Sequence, residues 1–475
     1  MSIAKGLMWG YIERWGNKVI SLLVFLLLAR LLAPNDFGLV ALAKLIIDFL
    51  DILVAQGLGL AIIQKKDITN THLTSVFWLL TLSALLVATV IFIFASEIAS
   101  IFSEAELLDI LRVLSVLILI SAFSRVQAAI LTREHKFRQL AYRGLLMSLV
   151  GGVTGVVMAI NGFGVWSLVG QHIVSTFVAL VVLWSATSWR PSLLFDFNAI
   201  KELYSYAFKV LLDQKLIFIS NRIDEALIAV LLGTTALGYY SIAKRLFMTL
   251  VDMLYSSIGK VLVSIFSRIQ DRIDEIADKL IGVIAVLSAI CIPIFMFSSF
   301  MSDDIIDLLF GNKWATAASP FSIIVLSGIF FLTKTIAYPV FSAIGKPELS
   351  LKLNVVRSVI SVGLILIGAI YGLTGIAMSI LLSSFITSMI DIKALSNELR
   401  IRAITVFMIQ FRYILYSLFA IFLIYISREY FLTGLSEQYY LIVSMLLFGT
   451  VYATTLYLFK SPSVMLLLDY YKRSK

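Results

Sequence analysis

Two stretches of this chain repeat at a constant offset of 200 residues, each with charged residues set inside apolar helices. Leu31-Leu32-Ala33 leads to Gly38 and on to Lys44, while Leu231-Leu232-Gly233 leads to Gly238 and on to Lys244; 244 minus 44 is 200. Each copy reads as a helix end, a short turn closed by glycine, and a second helix carrying a lysine two turns in. Such a chain is expected to fold into two similar halves. Ionisable residues at membrane depth in both halves give the layout of a transporter whose path runs between them.

The membrane assignment rests on composition. Hydrophobic residues make up 60% of the chain, mean hydropathy is +0.99 and only 14% of residues are charged, against about 25% charged in soluble domains. A spanning helix needs roughly 20 apolar residues, so the chain can hold a dozen or more. The formal charge of +9 does not point to nucleic acid, because the basic residues form no runs interleaved with aromatics. The single cysteine, Cys291, excludes an internal disulfide framework, and His72, His135 and His172 are too scattered for a metal motif. The first ten residues read as the start of an uncleaved helix.

Apolar runs bounded by Gly, Pro and charged clusters predict an all-α chain of about fourteen transmembrane helices, near 11–32, 38–63, 75–95, 107–131, 142–160, 165–187, 204–232, 238–266, 280–300, 316–344, 353–371, 374–392, 404–427 and 439–459. An even count puts both termini on one side. Twenty-one lysines and arginines then fall on that side, against Lys313 and Arg428 on the other, so the positive-inside rule predicts cytoplasmic termini. Far-side loops are short or acidic, as at Asp303–Asp307. The stretch around Trp189-Arg190-Pro191 divides residues 1–190, a six-helix lobe, from 191–400, a second lobe; residues 401–475 add two helices and a cytoplasmic tail. The glycine hairpins at 161–164 and 371–374 extend the repeat. The lobes enter the membrane in the same sense and are expected to be related by a pseudo-twofold axis along the membrane normal.

Charges inside the spans are uneven. Glu13, Arg14, Lys18 and Arg30 lie on the first; Lys44, Asp48 and Asp51, spaced by four and three, share a face of the second. Asp213, Lys215, Arg222, Asp224 and Glu225 lie on the seventh, and Lys244, Arg245, Asp252 and Lys260 on the eighth. Elsewhere there are Arg112, Arg125, Lys334 and Arg357. A charge at the bilayer centre costs about 3 kcal/mol on insertion scales, so these residues should face protein or water. Structural ion pairs account for some of them, and Glu13 to Lys18 and Arg30 lie where snorkelling to water competes. As a set they read as a path for an anionic substrate, with carboxylates tuning the cations or carrying a coupling ion. Gly151 and Gly155 read as close helix packing.

The segment Ala29-Arg30-Leu31-Leu32-Ala33-Pro34-Asn35-Asp36-Phe37-Gly38-Leu39-Val40-Ala41 resembles the amino-terminal signature of the Wzx-type polysaccharide flippases of the multidrug/oligosaccharidyl-lipid/polysaccharide exporter superfamily. Gly233 to Ser241 resembles the matching signature of their second half, and the likeness, closest to colanic-acid and other exopolysaccharide exporters, runs from Ser2 to about Lys460. It implies movement of an undecaprenyl-pyrophosphate-linked oligosaccharide across the bacterial cytoplasmic (inner) membrane by alternating access, for exopolysaccharide or lipopolysaccharide biosynthesis alongside polysaccharide polymerase machinery. By the resemblance, Arg30 and Lys44 would meet the pyrophosphate or acidic sugars, with Arg14 and Lys18 on the same cationic cavity. Val230 stands opposite Arg30 in the repeat, so Arg222, Lys244 or Arg245 would take that duty in the second half. Asp48, Asp51, Asp224, Glu225, Asp252 and Glu13 would tune charge or titrate with a proton or sodium ion. No other cofactor, no metal and no catalytic residue is expected. The competing readings are a multidrug exporter of the same superfamily, which would favour acidic cavity residues, and a membrane glycosyltransferase or polymerase, which would need a larger outward loop.

Overall fold

The computed structural model describes residues 3–256, 258–430, 437–459 and 461. Among them the regular secondary structure is all helical, with no strand. Ten helical stretches are long and apolar enough to cross a membrane by length and composition. The chain is a multi-pass membrane protein.

Contacts divide it into two compact units, Met1–Gly238 and Tyr239–Lys475. The first holds α1 (Ile3–Leu31), α2 (Pro34–Gln64), α3 (Asn70–Ile101), α4 (Ala105–Arg133), α5 (Phe137–Ile160), α6 (Trp166–Ala186) and the first part of α7 (Phe197–Tyr255). The second holds the rest of α7, then α8 (Ile258–Phe266), α9 (Ile273–Phe300), α10 (Ser302–Phe310), α11 (Ala318–Ala343), α12 (Pro347–Gly368), α13 (Gly372–Leu399), α14 (Ala403–Tyr430) and α15 (Glu437–Leu458).

The repeat is visible in how the chain turns. Ala33 is extended ahead of Pro34 at the start of α2, and the Asp36 carboxylate accepts the Ala33 N–H at 2.8 Å, capping the helix. At the equivalent point of the second copy Gly233 interrupts α7 with φ 81 and ψ 176, a left-handed backbone that glycine adopts at no steric cost. The hairpin glycines Gly162 and Gly372 also have positive φ.

Within the first unit α5 packs on α6 and on α1. A β-carbon added at Gly151 would lie 1.9 Å from Ser175 Oγ of α6 and one at Gly155 would lie 3.0 Å from Gln171 Cβ of α6, so these two glycines set helix approach as expected; Gly152 adds a contact 2.4 Å from Val24 of α1. In the second unit α11 packs on α9 and α13, and α14 packs on α9 and α15. The Asp303–Asp307 stretch, expected as a loop, is instead the short helix α10, because Ile306 and Phe310, four apart, are buried on one side while Asp303 stays exposed.

The linker after α6 is strapped to the start of α3. Trp78 Nε1 donates to the Ser192 carbonyl at 2.7 Å, Trp189 Nε1 to Asn70 Oδ1 at 2.7 Å, and the Asp196 N–H to Ser75 Oγ at 2.8 Å.

Candidate functional site: a polar cluster enclosed by α2, α4, α6 and α7

Inside the first unit α2 runs antiparallel to the first part of α7, in contact at both ends. A β-carbon at Gly38 would lie 1.8 Å from the Thr234 carbonyl oxygen, and one at Gly238 would lie 1.9 Å from the Pro34 carbonyl oxygen. The two contacts are the same contact repeated at the 200-residue offset. Thr234 Oγ1 donates to Asn35 Oδ1 at 2.8 Å and also meets Glu104 Oε1. At the other end, a β-carbon at Gly57 would lie 2.0 Å from the Ala207 carbonyl oxygen. Between them the Phe49 and Phe218 rings approach to 6.0 Å.

The charged residues of α2 lie between these glycine contacts, Asp48 roughly midway. Lys44, Asp48 and Asp51 fall on one helical face, as their spacing requires. α4 packs on α2 and brings Arg125 to Asp51, where Nη2 reaches both carboxylate oxygens at 2.6 Å with both side chains about four-fifths buried. From α7, Arg222 pairs with Glu225 at 2.6 Å, and Glu225 and the neighbouring Asp224 are buried. The charges of Lys44, Arg222, Asp51 and Glu225 all act on Asp48, and that of Asp224 acts on Arg222. Lys44, Asp48 and Asp51 line a cavity of about 120 Å³ with Ser121 of α4 and His172 and Thr176 of α6.

The structure thus gathers six of the expected site residues, Lys44, Asp48, Asp51, Arg222, Asp224 and Glu225. It adds Arg125, Ser121, His172 and Thr176. Their signal was spacing: Ser121 and Arg125, and likewise His172 and Thr176, are four apart on one helical face. Arg30 is exposed at the end of α1, and Lys18 lies 5.8 Å from the Trp15 ring, both away from the cavity lining. The side chains of Glu13, Arg14, Asp213, Lys215 and Lys260 lie outside the described residues. In the second unit Lys244 sits 5.8 Å from the Tyr240 ring, and Arg245 and Asp252 are exposed.

The charge balance of this cluster differs from a purely cationic cavity. Among the described residues, Lys44, Arg125 and Arg222 face Asp48, Asp51, Asp224 and Glu225, four carboxylates to three cations. Two of those cations are held by a carboxylate within hydrogen-bond distance. Lys44 is the one ammonium lining the cavity among the described residues. The Arg125–Asp51 pair ties α4 to α2, and removing one partner strands the other, whereas Arg222–Glu225 lies within α7. A cavity of this size admits a phosphate-sized group or a hydrated ion, and a larger ligand only if α2 and α7 separate.

The chain is similar to known proteins over most of its length. Residues 27–319 match the family model described as polysaccharide biosynthesis protein. The chain is 26% identical over 373 residues to the succinoglycan biosynthesis transport protein ExoT of Rhizobium meliloti, covering 78% of this chain and 75% of that one. It is 22% identical over 378 residues to the lipopolysaccharide biosynthesis protein WzxC of Escherichia coli, covering 78% and 76%. Among solved structures, the lipid II flippase MurJ in an inward closed conformation has the same fold, with a TM-score of 0.77 at 16% identity over 95% of this chain and 98% of that chain.

Proposed function

Because the chain belongs to the polysaccharide biosynthesis protein family, we propose that it is a transporter, not an enzyme, that moves a lipid-linked oligosaccharide from the inner to the outer leaflet of the bacterial cytoplasmic membrane. The substrate is an undecaprenyl-pyrophosphate-linked glycan, and both termini lie in the cytoplasm beside the polymerase machinery that uses the product. The observation that carries the reading is the polar cluster around Lys44 and Asp48, enclosed within apolar helices between two glycine contacts. Charged groups at that depth cost about 3 kcal/mol each on insertion scales and persist where they meet a ligand or one another. A pyrophosphate with its glycan cannot enter hydrocarbon unaided, so fixed cations must meet its charge while the lipid tail stays in the bilayer.

Transport follows by alternating access. The Gly38–Gly238 contact closes the outer side and the Gly57–Ala207 contact the inner side, and each must part in turn for a glycan to pass. The sequence division into lobes at 1–190 and 191–400 supplies the moving bodies, with residues 401–475 as an addition. Arg30, Lys44 and the cations of the second half, Lys244 and Arg245, contact the anionic headgroup. Asp48, with Asp51, Asp224 and Glu225, carries the coupling proton or sodium ion, since neutralising one carboxylate brings the cluster to charge balance. Asp252 tunes the second half.

One observation favours a second reading, a multidrug exporter for cations: among the described residues carboxylates outnumber cations around Asp48. Reconstitution separates the two. Vesicles holding the purified chain and a fluorescent polyprenyl-pyrophosphate tetrasaccharide are expected to expose that lipid to an external quencher at least tenfold faster than empty vesicles, and to leave ethidium uptake unchanged. Ethidium movement without glycolipid movement would establish the second reading instead.

A further inference from the structure

The second unit holds an intramembrane charge cluster on α11, α12 and α13, outside the two signature segments of the repeat. Asp391 of α13 is fully buried, and its Oδ1 accepts Nε of Arg357 from α12 at 3.1 Å and a shorter bond from Nη2. Arg357 Nη1 donates to Asn354 Oδ1 at 2.6 Å. The other carboxylate oxygen, Asp391 Oδ2, is buried with no hydrogen-bond partner among the described residues. Lys334 of α11 lies within the electrostatic reach of both Arg357 and Asp391, with its ammonium 5.3 Å from the Phe331 ring. On the buried side of α11, Thr333 and Ser388 of α13 approach to 3.0 Å, and Gln410 Nε2 of α14 donates to Thr333 Oγ1 at 3.4 Å.

Two cations to one carboxylate leave this cluster with one excess positive charge, the reverse of the balance around Asp48. Arg357 is spent on Asp391 and Asn354, whereas Lys334 is exposed. Lys334 also stands nine residues before the end of α11, about 14 Å along the axis, deeper than a lysine at a helix end that snorkels to water. Holding a lysine at that depth is costly, and a second ligand-facing role offsets it. Phe331 beside it is already flanked, by the ammonium at 5.3 Å and by the stacked Tyr255 ring, so the cation is held against an aromatic surface.

We infer that Lys334, supported by the Arg357–Asp391 pair, forms an anion-binding subsite in the second unit that takes a carboxylate or phosphate of the transported glycolipid. The inference deepens the transport reading and rests on it, since it names a second contact for the same substrate. It also makes selectivity for acidic repeat units a property of α11.

The test uses the full chain in nanodiscs of neutral phosphatidylcholine and three probes: a glucuronate-terminated tetrasaccharide, its glucose-terminated counterpart, and geranyl pyrophosphate. Wild type is expected to bind an anionic probe at least tenfold more tightly than the neutral sugar, and Lys334→Gln to lose that preference while Lys334→Arg keeps it. Loss confined to the glucuronate probe assigns the subsite to the sugar carboxylate. Loss confined to geranyl pyrophosphate assigns it to the lipid headgroup, and either loss supports the site. Lys334 is exposed, so its glutamine variant keeps the fold, and an unchanged thermal midpoint checks this. Anion binding by Lys334→Gln equal to wild type overturns the subsite and leaves the transport reading standing. Wild type that binds neither anion overturns the transport reading, and the subsite with it.

Discussion

Gly38 and Gly238 meet backbone to backbone: a β-carbon on either would fall within 2 Å of a carbonyl oxygen of the other's turn, Thr234 in one case and Pro34 in the other. A repeated segment that contacts its own copy is what a pseudo-twofold contact looks like at residue level. The pair closes one end of the α2–α7 packing, and the polar cluster lies beyond it.

Alanine at position 38 or 238 forces that contact apart, because the clash is with backbone, which cannot rotate away. Each variant is expected to lose at least tenfold in glycolipid movement at unchanged protein level. A cysteine placed at Thr235 should react with an impermeant maleimide at least fivefold faster in the Gly238→Ala background, and Cys291, being buried, gives no competing signal. Unchanged reactivity would mean that the contact does not close the outer side.

Arg125 and Asp51 are expected to act as one unit. Removing the guanidinium strands a carboxylate that is about four-fifths buried, so Arg125→Ala should destabilise by about 2–4 kcal/mol, less than the full value for a completely buried pair. Arg125→Gln with Asp51→Asn should recover most of it, because neither charge is then left alone. Thermal midpoints of the two single variants and the double variant in detergent read the coupling directly.

Asp391 is the sharper case, being fully buried with Arg357 as its partner. Asp391→Ala should cost about 3–5 kcal/mol, and Arg357→Met with Asp391→Leu should cost much less. A midpoint for Asp391→Ala equal to wild type would mean that the pair does not hold α12 to α13.

On the loop side, the Glu202 carboxylate accepts Lys65 Nζ at 2.5 Å and His72 Nε2 at 3.2 Å. The Thr69 N–H donates to His72 Nδ1 at 3.3 Å, which assigns the remaining ring proton to Nε2 facing Glu202. Hydrogen bonds from Lys65, then His72, hold the Glu202 carboxyl below its ordinary value. The folded value lies below the unfolded one, so the contribution is present above the unfolded value and is lost as pH falls through the folded one. The midpoint gap between wild type and Glu202→Gln is expected to be widest near neutrality and to close below about pH 4. A gap that is constant with pH would contradict the assignment.

Much of this was legible in the residues because membrane helices announce themselves by apolar length and by the Gly and Pro that end them. α9, α11 and α15 begin or end within a few residues of the expected positions, and the Lys44–Asp48–Asp51 face followed from spacing alone. Partners across helices were not legible. Arg125 and Asp51 are 74 positions apart and Arg357 and Asp391 are 34 apart, and periodicity reports which face a residue occupies, never what that face meets. The helix α10 was hidden for a different reason: three aspartates in nine residues read as a solvated loop, although its buried apolar side is only two residues wide.

The central claim is that this chain carries a lipid-linked glycan past Lys44. The most direct measurement is the leaflet distribution of undecaprenyl-linked oligosaccharide in source cells depleted of the protein and complemented with wild type or Lys44→Ala. The account predicts accumulation in the inner leaflet, relieved by wild type and not by an equally abundant Lys44→Ala. Complete repeat units reaching the outer leaflet at normal rates without the protein, in cells with no second flippase, would contradict it.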